Sequence, residues 1–271
     1  MVVSLAGSLQ CLVWTPAARL LTAFVGKGRW APGWLSGIPT TLYAAQPARA
    51  RIAGVRSLAS SGRLCQHLGM SDADLKQALT TYLQSGRDVL LWKLEGLSEY
   101  DVRRPLTPTG TNLLGLVKHL AGVEAGYFGS VMGRPFPEPM PWMDDDAEPN
   151  ADMWATPDES RTEVVEQYRR VWAHADETIA ALSLGSRGEV PWWPDERRHP
   201  TLHTLLVHVI AETHRHAGHA DIVRETIDGS AGFRSTNSNL PGEEADWWRG
   251  YRDRLEETAR AVGGQADRGQ G

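Results

Sequence analysis

Cysteine is nearly absent from this chain of 271 residues: there are two, Cys11 and Cys65, and both fall in its first quarter. From Met70 onward there is none, which excludes disulfide scaffolds, cysteine-ligated zinc and cysteine nucleophiles from that stretch. Any thiol chemistry there must use a thiol brought in by a substrate or cofactor. Acidic residues are missing from 1–69, where Arg19, Lys27, Arg29, Arg49, Arg51, Arg56 and Arg63 leave a charge of +7. The remainder carries −12, so the overall −5 hides a break in composition. The basic surplus of a general nucleic-acid or anionic-membrane binder is therefore lacking. Apolar runs of the roughly 18 residues that a membrane helix needs are lacking too. No HExxH, no glycine-rich phosphate loop and no Gly-x-Ser-x-Gly elbow occurs, so zincin proteases, phosphate-loop enzymes and serine hydrolases of that type drop out.

The break in charge divides the chain into a basic extension, 1–69, and a domain over 70–265. Arg-rich, acid-free and Ser-containing describes an organelle transit peptide. A secretory signal fits poorly, because Gln10, Pro16 and Arg19 interrupt the apolar stretch and no charge precedes it. The preferred reading is an over-extended start, with translation beginning at Met70 and 1–69 largely unstructured. Ser71 followed by Asp72 and Asp74 reads as an ordinary helix opening.

Strand signals are scarce from Met70 onward, and helical periodicity dominates. Leu75, Leu79, Leu83, Leu90, Leu91 and Leu94 give an apolar stripe for a helix of about 72–96. Thr111 or Asn112 can cap a second, about 111–132. Thr156-Pro157-Asp158 opens a third, about 158–184, and a fourth of about 200–228 stops at Gly229. A shorter helix of about 242–262 follows. Four long helices predict an all-α, four-helix bundle with an extra C-terminal helix. The connections 133–157 and 185–199 exceed ordinary bundle turns and carry Trp142, Trp154, Trp192 and Trp193. These tryptophans either cover one end of the bundle or wall a substrate pocket.

The fourth helix concentrates the chemistry in HVIAETHRHAGHADIVRE, His208 to Glu225. At about 100° per residue, with His216 as zero, Leu202, Leu205, Val209, Ala220, Val223 and Ile227 fall within about 40° of it. Glu212 lies at about −40°, so Glu212 and His216 point inward one turn apart. His214, Asp221 and Glu225 fall on the opposite side, towards solvent. His208 and His219 sit on the shoulder of the apolar face. Burying a carboxylate and an imidazole costs several kcal/mol unless they are paired or coordinated. A satisfied core histidine and a metal ligand both answer that need. In the second helix, His119 borders the apolar face, with Gly115, Gly122 and Gly126 on its other side. Such glycines imply either close helix approach or space for a ligand. Two imidazoles and a carboxylate leave a coordination position open, as catalytic zinc sites do, and would also suit non-haem iron or nickel.

LLGLVKHLAGVEAGYFG, followed by TLLVHVIAETHRHAGHADIVRE, resembles the DinB/YfiT-like superfamily of metalloenzymes. The similarity is greatest to the branch of mycothiol-dependent maleylpyruvate isomerases, and it covers about 70–230. The resemblance implies up-down-down-up connectivity and a divalent metal, zinc first and nickel or iron as alternatives. By position the ligands would be His119, Glu212 and His216. It also implies a low-molecular-weight thiol such as mycothiol as cosubstrate, in an S-transferase or thiol-dependent isomerase acting on a small electrophile. His219, and less readily His208, would relay the proton. Trp142, Trp192 and Trp193 are the candidate substrate-binding residues. The alternatives are a hydrolase that activates water and a non-catalytic metal-binding bundle. The expected setting is the cytoplasm, with a small-molecule substrate, no nucleic acid, no membrane and a homodimer as one assembly.

Overall fold

Capping chemistry sets where the helices begin in the computed structural model, which describes residues 71–242 and 244–266. The extension 1–69 and both cysteines lie outside the described residues. The Ser71 hydroxyl accepts from the Asp74 amide and the Asp74 carboxylate accepts from the Ser71 amide, opening α1 (Asp72–Trp92) with a capping box. A short α2 (Glu99–Arg103) follows; five residues are too few to show a periodic stripe. Asn112 caps α3 (Leu113–Glu124) by accepting from the Gly115 amide. The chain then widens into a π turn, Ala125–Gly129, and tightens into a 3-10 turn, Ser130–Met132, where an unbroken helix to about 132 was expected. The next helix, α4 (Arg161–Ala181), starts at Ser160 rather than near Thr156, because Ser160 and Glu163 form the box. Glu159 is occupied in the turn before it, accepting from the Thr156 amide. Thr201 opens α5 (Leu202–Asp228), and Gly229, at φ 79°, ends it. The last helix is α6 (Ala245–Ala266).

Side-chain contacts fix the directions of the four long helices. Gly86 of α1 lies against Thr213, and Lys93 at the end of α1 reaches Asp221 at 2.5 Å, so α1 and α5 run parallel. Lys118 meets Glu159 at 2.8 Å, Tyr168 meets Glu124 at 3.2 Å and Arg134 meets Thr178 at 3.1 Å, so α3 and α4 run parallel as well. Lys76 at the start of α1 donates to the Leu182 carbonyl beyond the end of α4, while Arg161 at the start of α4 donates to the Leu97 carbonyl beyond α1. Those two helices are antiparallel, and the connectivity is up-down-down-up. The fold is an all-α bundle with an additional C-terminal helix.

The core runs through all four, from Leu83 and Leu90 through Leu116 and Leu120 to Tyr168, Ile179, Leu205 and Val209. Within it lies one ion pair with almost no exposure. Arg87 donates twice to Glu124, at 3.0 and 2.5 Å, and the Tyr168 hydroxyl donates to the same carboxylate. It ties α1, α3 and α4 together. The face of α5 read as solvent-side is partly covered by α1: His214 Nε2 lies 3.0 Å from the Tyr82 carbonyl, and Asp221 takes the Lys93 ammonium. By contrast α6 exposes Trp247, Tyr251, Leu255 and Val262, and no bundle helix packs along it. Among the described residues no helix is long and apolar enough to cross a membrane.

Candidate metal centre

His119 comes from α3, and Glu212 and His216 from successive turns of α5. Where these helices meet, one ligand atom from each of the three residues lies within 4.8 Å of the other two. Glu212 Oε1 is 3.0 Å from His216 Nε2 and 3.8 Å from His119 Nε2. All three residues are buried. Both imidazoles therefore turn Nε2 towards the carboxylate, which requires something to hold each Nδ1. For His119 it is Asp152, whose Oδ2 lies 2.6 Å from Nδ1. For His216 it is His219, with the two Nδ1 atoms 3.3 Å apart. Partners of this kind fix the tautomer and orientation of a metal-ligating histidine.

Asp152 carries no periodic signal and lies 33 residues downstream of His119. Its position depends on the glycines of α3. A Cβ on Gly115 would lie 1.8 Å from the Met153 carbonyl oxygen, and one on Gly122 would lie 2.6 Å from the Met143 sulfur. Nothing lies within 4 Å of a Cβ built on Gly126. At Gly115 and Gly122, then, the small side chains admit neither a helix nor a ligand but the 141–153 connection. Asn112 anchors it by donating to the Met153 carbonyl at 3.0 Å. The short turn Ala151–Met153 then presents Asp152 to His119.

The charges follow from this geometry. Burial disfavours the His119 imidazolium, but Asp152 and Glu212 outweigh it and raise its pKa to about 9. Hydrogen bonds from His119 and His216 hold Glu212 far below the usual carboxylate range. Burial keeps His216 and His219 more neutral than free histidine.

A cavity of about 350 Å³ opens beside the three residues. Leu116, Met153, Thr109, Thr111, Arg215 and His219 help to line it. A larger open groove, between α1 and α4, lies away from this cluster. The remaining sequence candidates gather elsewhere. His208 packs edge-on against Tyr127 and Trp193, at 4.9 and 5.1 Å between ring centres, and its Nε2 is buried without a hydrogen-bond partner. The Trp192 indole N–H points at the Tyr127 hydroxyl, 3.4 Å away. Trp142 lies under the Lys118 ammonium, 4.4 Å from its ring centre. None of these three tryptophans is among the residues lining the cavity. The residues that sequence reasoning missed are Asp152 and the 108–111 turn; the only signal for Asp152 was the run of glycines beside His119, and the turn had none.

The family model described as mycothiol-S-transferase matches residues 78–229, from within α1 to the end of α5. No curated protein matches the chain at a significant level.

Proposed function

Because the chain belongs to the mycothiol S-transferase family, we propose that it joins a low-molecular-weight thiol such as mycothiol to a small electrophile, with one divalent ion held by His119, Glu212 and His216. The observation that carries this reading is the buried three-donor cluster opening onto a cavity of about 350 Å³. The donor set fits such an ion: two Nε2 atoms and a carboxylate converge from two helices, and both rings are held from behind. Two imidazoles and a carboxylate with an open position suit zinc first, and nickel or iron as alternatives. An ion there would supply the positive charge that keeps a thiol deprotonated at neutral pH.

The protein's own groups do the rest. Asp152 keeps the proton of His119 on Nδ1 and leaves Nε2 free. With an ion on its Nε2, His216 would carry its proton on Nδ1 and donate it to His219 Nδ1. In that tautomer His219 keeps an N–H on Nε2, a donor from a ring that lines the cavity. Leu116 and Met153 supply apolar wall to the cavity. His208, set among Tyr127 and Trp193, would act only through that aromatic cluster. A thiol-dependent isomerase would begin with the same addition of thiol to electrophile. The cytoplasm remains the expected setting, with a homodimer as one assembly.

The test is consumption of electrophile by zinc-loaded protein across a panel of thiols. The reading expects strict thiol dependence, with mycothiol among the accepted thiols, and loss of activity on chelation. Turnover without any thiol would favour the hydrolase alternative and sink the transferase. The seat of the loop offers a second check. Gly115→Ala should displace the Met153 carbonyl, withdraw Asp152, and weaken zinc binding by about 10–100-fold, the usual cost of losing such a partner. Gly126→Ala, with open space at its Cβ, is the control. Equal zinc affinities by chelator competition would show that Asp152 is not needed.

A further inference from the structure

Arg215 immediately precedes His216 on α5 and lines the same cavity. Among the described arginines it alone makes no hydrogen bond, ion pair or ring contact. Arg87, Arg103, Arg104, Arg161, Arg169, Arg170, Arg198, Arg224, Arg249, Arg252 and Arg260 pair with carboxylates. Arg134 and Arg187 hydrogen-bond, and Arg197, Arg234 and Arg254 lie over aromatic rings. Every other described guanidinium thus has a partner, and this one is open beside the cluster. Among the described residues the only carboxylate lining the cavity is Glu212, and it is engaged between His119 and His216.

A guanidinium is a planar fork of donors matched to a carboxylate or a similar anion. Under the proposed thiol transfer, on which this inference rests, the thiol brings its negative charge to the three-residue cluster. The cation at the rim is left for the second substrate. We infer that the electrophile carries a carboxylate or comparable planar anion, which Arg215 binds at the cavity mouth while the reactive carbon faces His119, Glu212 and His216. Thr109 and Thr111 line the same cavity and offer hydroxyls to such an anion.

The probe pair is 4-chloro-3-nitrobenzoate and its methyl ester, titrated calorimetrically into the zinc-loaded full chain without thiol. The wild type should bind the carboxylate about tenfold or more tightly than the ester, the ratio expected from a charge-assisted hydrogen bond. Arg215→Gln should abolish the preference with zinc content unchanged, and Arg215→Lys should retain part of it. No preference in the wild type, binding of neither probe, or a preference that survives Arg215→Gln each overturns the inference; the last would mean that the ion itself holds the anion. Thiol-dependent turnover is scored separately. Arg215-dependent binding without any thiol transfer would leave the anion site standing and remove the transferase. Transfer with equal use of acid and ester would remove the anion site alone.

Discussion

His216→Ala protein is expected to lose its divalent ion and, with it, all thiol-dependent turnover, while remaining folded. Structural zinc sites contribute about 10–16 kcal/mol in all, so one of a few ligands is worth on the order of 3 kcal/mol, more than about 100-fold in affinity. The substitution leaves the bundle intact for a definite reason. Glu212 keeps His119 within 3.8 Å, and His119 keeps Asp152 at 2.6 Å, so no buried charge is stranded. The metal-free variant should stay folded but melt somewhat below metal-free wild type, because Glu212 loses its 3.0 Å hydrogen bond to His216. Added zinc should stabilise the wild type, by about 2.7 kcal/mol at 100 times its Kd, and leave the variant unmoved. Zinc-dependent melting in both would mean that the ion binds elsewhere.

Glu124→Ala is expected to do the opposite, destabilising the fold without emptying the site. This glutamate sits five residues beyond His119 in the motif that carries the family resemblance, yet it faces away from the three-residue cluster. Removing it leaves the Arg87 guanidinium, 1% exposed, without its buried counter-charge, and takes the partner from the Tyr168 hydroxyl. Asp176 cannot substitute, because it lies half in solvent and meets only one Arg87 nitrogen. Breaking a buried pair from one side costs about 3–5 kcal/mol. For a bundle of this size that lowers the melting temperature by roughly 10 °C or more. Urea unfolding should show the loss as a lower midpoint at unchanged slope. The double substitution Arg87→Met, Glu124→Leu should recover most of it, since a well-packed apolar pair replaces the ions. A cost below about 1 kcal/mol for Glu124→Ala would contradict the pair's role as a stranded-charge trap.

The parts of the fold that were legible are those that local rules govern. Apolar stripes located α1 and α5, and Ser71, Asn112 and Gly229 marked ends that the structure keeps. Glu212 and His216 stood out because two polar side chains on an apolar stripe need a shared explanation. What escaped was set by tertiary contact. Every residue from Leu113 to Gly129 is buried, so that stretch has no solvent face from which to read a period, and its change of pitch at Ala125 left no trace. His214 and Asp221 looked solvent-facing because a single helical wheel has one inside, whereas α5 packs against both α3 and α1. Asp152 belongs to a connection without repeat, placed by a carbonyl seated on Gly115. Arg215 could be singled out only once every other described arginine had a visible partner.

The central claim is that a thiol from outside the protein reacts beside an ion held by His119, Glu212 and His216. Its most direct test is the absorption spectrum of cobalt-loaded protein in which Cys11 and Cys65 are replaced by serine, so that no protein thiol remains. Adding mycothiol should then produce an intense near-ultraviolet band of sulfur-to-cobalt charge transfer, absent from the same protein carrying His216→Ala. Cobalt bound at one ion per chain with no such band on saturating thiol would contradict the account.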